Sequence, residues 1–126
     1  MRVLLVGIGG FVGSICRYWM SGLVQGASRQ GTFPTGTLAV NVMGCLAIGI
    51  LAELAESRGF LTSDTRALLM VGVLGGFTTF SAFANETVSA MRDGALGLAA
   101  ANIVLSVMLC LAAVWAGRVL AHSVWR

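Results

Sequence analysis

Apolar residues fill four long stretches of the chain, and polar residues are confined mainly to the short segments between them. Val3 to Cys16 carries no charge and its apolar pattern continues past Arg17 to about Val24; residues 30–52, 67–85 and 94–117 are the other uncharged runs. A helix rises about 1.5 Å per residue and a bilayer core is about 30 Å thick, so about 20 residues complete one crossing. The pattern predicts an all-α membrane protein of four transmembrane helices, spanning about 3–24, 34–54, 66–91 and 95–121. The connections read as turns: "QGASRQGTFPTG" holds the only proline, Pro34, and "MRDGA" is a five-residue link. Nothing resembles a soluble domain or a low-complexity tail, so residues 1–126 are expected to form a single integral membrane domain.

Composition strengthens this reading. With 57% hydrophobic and 10% charged residues and a mean hydropathy of +0.90, the chain has more apolar surface than a soluble core of its size hides. Arg2 ahead of an apolar run has the outline of a signal peptide, but Arg17 and the Gly9/Gly13 pair favour a retained helix with a close helix contact. Cys16, Cys45 and Cys110 each sit inside an apolar run without C-x-x-C spacing, so buried small side chains are expected rather than a disulfide or metal site. No nucleic-acid partner is expected, and no G-x-x-x-x-G-K-[ST] phosphate loop is present.

Charge bears on orientation. All eight basic residues are arginine. With four spans, Arg2, Arg58, Arg66, Arg118 and Arg126 fall toward one side and Arg17, Arg29 and Arg92 toward the other, a weak bias under the positive-inside rule. Such a chain can insert in both orientations. Four helices hardly enclose a polar path and bury its lining as well, so a homodimer of oppositely inserted copies is the expected assembly.

Candidate chemistry is concentrated in the third run, "GGFTTFSAFANET". Gly75 and Gly76 followed by Thr78 and Thr79 weaken a helix at its middle and free backbone carbonyls, which membranes tolerate only where the backbone is buried in protein, lines water or holds an ion. Phe80 and Phe83 follow on one helical face. Asn41 shares a face with the small residues Gly44, Cys45 and Gly49, and Asn102, Ser106 and Cys110 form a stripe along the fourth span. Taken singly, each is explained by helix packing or an interhelical hydrogen bond. Together, with no acidic residue mid-membrane, they suggest an anion path, because cation carriers place a carboxylate at that depth.

Three blocks, "GGFVGSICRYW", "GTLAVNVMG" and "GGFTTFSAF", resemble in order and spacing the signature blocks of the Fluc (CrcB) family of fluoride channels, and the similarity covers all four helices. The resemblance implies a passive, fluoride-selective channel in the cell inner (cytoplasmic) membrane, built as an antiparallel, dual-topology homodimer with two pores. It implies that Asn41 lines the pore and that Phe80 and Phe83 are its aromatic box. Thr79 and Ser81 become the hydroxyls beside the rings; the Asn102, Ser106 and Cys110 stripe, read from its helical spacing, is expected to complete the pore lining. It places Arg17 at a pore entrance, makes Glu86 structural, and assigns a structural Na+ at the dimer interface to the Gly75 and Thr78 carbonyls of each subunit. Asn102, Cys110 and Ala82 depart from the residues frequent in the family at those positions.

Two other readings compete. A small multidrug-type proton-coupled exporter shares the size and helix number, but needs an embedded carboxylate, whereas Glu53, Glu56 and Glu86 lie toward span ends. A non-transporting assembly subunit would use every small and polar residue for packing alone.

Overall fold

The computed structural model describes residues 1–28, 31–57 and 59–125; Arg29, Arg58 and Arg126, which enter the charge comparison above, lie outside the described residues. The described chain is helical: α1 (Arg2–Ala27), α2 (Thr35–Ser57), α3 (Ser63–Arg66), a π-helical stretch (Ala67–Leu74), α4 (Gly75–Phe77), α5 (Phe80–Arg92) and α6 (Leu96–Val124). Segments α3 to α5 form one continuous third span, Ser63–Arg92. Among the described residues four helices are long and apolar enough to cross a membrane, and each ends C-terminal to its uncharged run.

At the expected mid-helix break, two extended residues stand between α4 and α5: Thr78 (φ −91°, ψ 157°) and Thr79 (φ −150°, ψ 116°). The axis bends there by only 17°. Thr79 caps α5, its Oγ1 accepting from the Ala82 N–H at 3.2 Å, while the Thr78 hydroxyl donates back to the Leu74 carbonyl at 2.9 Å.

Small residues set the helix spacing. The buried apolar side chains among the described residues are Val40, Ala55, Ala90, Ala99 and Ala121, only one of them larger than alanine. Contact is therefore made by backbone. A Cβ on Gly9 would strike the Leu68 carbonyl, one on Gly13 the Val73 carbonyl and one on Gly76 the Gly10 carbonyl, so α1 lies directly on the third span and runs parallel to it. Gly49 and Gly117 do the same for α2 and α6, which also run parallel. Without a hydrophobic drive between helices in lipid, this close van der Waals approach is what holds them. The expectation for Gly9 and Gly13 as a contact face is met.

The ends are tied by polar groups. Gln25 receives the Gly36 N–H and the Thr35 hydroxyl on its Oε1 and donates to the Phe33 carbonyl, closing the α1–α2 connection. At the other end Arg2 pairs with Asp64 at 2.9 Å, Arg66 donates to the Ala55 carbonyl at 2.7 Å, and Arg118 pairs with Glu56 at 2.9 Å. Arg2, Arg66 and Arg118 thus share one end of the bundle. Large apolar side chains, including Val3, Leu4, Phe11, Trp19, Leu111 and Trp115, cover the outer surface.

Candidate functional site

The third span opens a cleft of about 370 Å³ between α2, the π stretch, the Thr78–Thr79 interruption and α6. It gathers Asn41, Thr79, Phe80, Phe83, Ser106 and Cys110 of the expected track, with Gly75 and Thr78, the residues expected to offer carbonyls. Ser81, Asn102 and Arg17 do not line it. Ser81 is exposed and its hydroxyl meets that of Thr79 at 3.2 Å. Asn102 lies behind the cleft wall at 2% exposure, and Arg17 is on α1.

Asn41 has a role that hydropathy does not foretell. Its Oδ1 accepts the Thr79 N–H at 2.8 Å and its Nδ2 donates to the Thr79 carbonyl at 3.0 Å, so one side-chain amide pairs both backbone groups of the second extended residue. Two carbonyls lose their ordinary helical donors as a result. Thr79 N–H, which would serve Gly75, goes to Asn41, and Ala82 N–H, which would serve Thr78, goes to the Thr79 hydroxyl. A Cβ on Gly75 would meet nothing within 4 Å, so this residue faces open space on the cleft side. The donor set at Gly75 and Thr78, neutral carbonyl oxygens released from the helix, fits a hard monovalent cation.

Phe80 and Phe83 touch, with ring centroids 5.3 Å apart and planes tilted by 49°. Phe80 is 78% exposed although it is a large apolar ring, whereas Phe83 is half-buried. Behind them a polar chain crosses from α5 to α6. Thr87 Oγ1 donates to the Phe83 carbonyl at 2.8 Å and accepts from Asn102 Nδ2 at 2.9 Å; Asn102 Oδ1 accepts from Ser106 Oγ at 3.4 Å. The chain connects the backbone of the inner ring to a hydroxyl on the opposite wall.

Thr87 was not singled out in the sequence; the signal that could have found it is the need of a buried Asn102 for a partner at membrane depth. Glu86 accepts from the Thr37 hydroxyl through Oε1, while its buried Oε2 has no hydrogen-bond partner among the described residues. The expected burial of the cysteines needs correcting: Cys16 is exposed on α1, whereas Cys45 and Cys110 are half-buried and both line the cleft. No group of three or more His, Cys, Asp or Glu is placed to hold a metal ion among the described residues.

The family model described as CrcB-like protein, Camphor Resistance (CrcB), matches residues 4–118. The chain belongs to the CrcB family. Among its relatives is a protein of Methylobacillus flagellatus, 49% identical over 116 residues, which span 92% of this chain and 91% of the relative. A Rhodospirillum rubrum protein is 48% identical over 121 residues (94% and 93%), and one from Paramagnetospirillum magneticum is 47% identical over 124 residues (97% and 96%). All three bear the name "Fluoride-specific ion channel FluC". The match runs through all four helices, so this CrcB protein is a multi-pass membrane protein of a channel family.

Proposed function

We propose that the chain is a fluoride-selective channel that lets fluoride leave the cytoplasm passively through the inner membrane. The observation that carries this reading is the cleft itself, where two touching aromatic rings, an amide and three hydroxyls meet, and no carboxylate is among the residues that line it. An aromatic ring has a positive edge, which favours an anion that has shed part of its water. Fluoride holds its hydration tightly, so transit requires replacement donors; the second Nδ2 hydrogen of Asn41 and the hydroxyl of Thr79 offer them. Hydrogen fluoride enters cells as a neutral weak acid and dissociates inside, so the membrane potential drives the trapped anion out without ATP. The protein is a conduit and not an enzyme.

The working unit is an antiparallel homodimer. A single copy leaves the cleft open and Phe80 exposed, and a second copy inserted upside down would cover both and supply an inverted set of the same groups. The Gly75 and Thr78 carbonyls of each copy would then hold a structural Na+ between the subunits. Bound there, the ion would neutralise four carbonyl dipoles that hydrocarbon leaves unsatisfied. The interruption at Thr78–Thr79 serves as the functional break of the third helix, and Ser81 and Arg17 act outside the cleft, Arg17 by attracting anions toward it.

The exporter reading is disfavoured by where the carboxylates are: Glu53 and Glu56 pair with Arg118 at one end of the bundle and Glu86 bonds to Thr37. The test is fluoride efflux from liposomes holding the purified protein, read with a fluoride electrode beside chloride-loaded vesicles. Rapid release of fluoride alone, abolished by the Phe80→Ile, Phe83→Ile double variant, is the expected result. Folded protein that releases no fluoride, or releases chloride equally, would refute it.

A further inference from the structure

Cys45 on α2 and Cys110 on α6 both line the cleft, on two helices packed directly against each other. Neither is in a disulfide. Their separation is set by the glycine crossing just beyond them: Gly49 is one turn past Cys45 and Gly117 two turns past Cys110, and each lets the facing backbone come so close that a Cβ would collide. Two thiols from different helices are therefore carried on one stiff wall, with access from the open cleft.

We propose that Cys45 and Cys110 form a two-coordinate site for a soft, thiophilic metal ion, of the class of Hg(II), Ag(I) or Cu(I). Thiolate sulfur selects such ions over hard ones, and the soft thioether of Met70 lines the same cleft. Zinc needs four ligands, and among the described residues no third His, Cys, Asp or Glu joins the pair. Binding of Hg(II) breaks two S–H bonds, forms two Hg–S bonds and releases two protons to water; no oxidant is consumed. Cys16, alone and exposed on α1, offers only single-point attachment. An ion held between Cys45 and Cys110 lies beside Ser106 in the cleft wall and obstructs it. That obstruction rests on the channel reading above, while the binding does not.

The experiment uses full-length Cys16→Ala protein in detergent, with mercuric chloride as the probe and 2-mercaptoethanol as a competing monothiol. Chelation by two tethered sulfurs outlasts a single bond by at least about tenfold. One mercury per chain, with a mass gain of one metal less two hydrogens, is expected to survive the thiol wash. It is expected to be lost from the Cys16→Ala protein carrying Cys45→Ser or Cys110→Ser, each checked by gel filtration for a folded elution position. Retention by neither the parent nor the single-site variants, or equal retention by all three, would overturn the proposal. The metal-loaded parent, reconstituted, is expected to lose fluoride efflux that the metal-free parent shows. Unchanged efflux would overturn placement of the ion in the path, whereas a metal-free parent without efflux would overturn the channel reading and leave the binding result standing.

Discussion

Replacing Asn41 by alanine removes two hydrogen bonds at once, those of 2.8 Å and 3.0 Å to the N–H and carbonyl of Thr79. A buried backbone group left without a partner costs about 1–3 kcal/mol, whereas side-chain hydrogen bonds measured inside membranes average about 0.6 and reach about 1.7 kcal/mol. Two such bonds bracket the loss between about 1 and 6 kcal/mol. Thr79 lines the cleft, where water can reach its carbonyl, and its N–H can turn back to Gly75, so the lower part of that range applies, about 2 kcal/mol. This is about a 30-fold fall in the folded-to-unfolded ratio. Reversible unfolding in mixed micelles, followed by tryptophan fluorescence at a fixed protein-to-lipid ratio, reads it directly; the ratio must be fixed because any dimerisation makes apparent stability concentration-dependent. The same variant is expected to lose fluoride efflux, since Thr79 N–H recapturing the Gly75 carbonyl rebuilds the helix through the interruption. A stability loss below about 0.5 kcal/mol with efflux intact would refute the role given to Asn41.

Gly13→Ala places a methyl on the Val73 carbonyl and is expected to destabilise by about 1–3 kcal/mol in the same unfolding assay, while Gly22→Ala, which meets nothing, costs nothing. Gly75→Ala meets no atom of its own chain, so the isolated chain keeps its fold, but in liposomes it is expected to reduce fluoride efflux because that methyl projects where a second copy and an ion would sit. Thr87→Val strands the Asn102 amide and is expected to lower stability by about 0.6–1.7 kcal/mol. Arg118→Gln removes the exposed ion pair with Glu56 and the longer contact to Glu53, and is expected to lower stability by no more than about 1 kcal/mol at physiological ionic strength.

How much was legible in the sequence follows from which constraint is local. Four helices can be read from hydropathy because hydrocarbon forces each crossing segment to satisfy its own backbone, leaving only the helix as an answer for uncharged runs of this length. The place of the two extended residues is legible for a related reason, since Gly75, Gly76, Thr78 and Thr79 weaken a helix and Thr79 can cap the next one, although the axis bends there by only 17° and no full break of the span follows. What the sequence does not carry is partnership between helices. Asn41 and Thr79 are 38 residues apart, Thr87 and Asn102 are 15, and nothing in the run of either helix marks one as the answer to the other. The π-helical stretch at Ala67–Leu74 was equally hidden, because its residues are ordinary apolar helix formers.

The Asn41 clamp also explains why the site lies on an outward face of the chain. A two-residue extended segment inside a membrane normally strands donors and acceptors on both sides of it, yet here one amide side chain reproduces the donor and acceptor of a missing peptide neighbour. The deficit is therefore moved to the carbonyls of Gly75 and Thr78, whose donors have been diverted. Gly75 has open space before it, Phe80 projects beside it, and both border the same cleft. A chain that were complete by itself would have no reason to present freed carbonyls to lipid. On the proposed reading an inverted second copy, with an ion between the carbonyls, would remove that cost, and the Gly75→Ala variant separates that account from one in which the glycine merely eases packing within the chain.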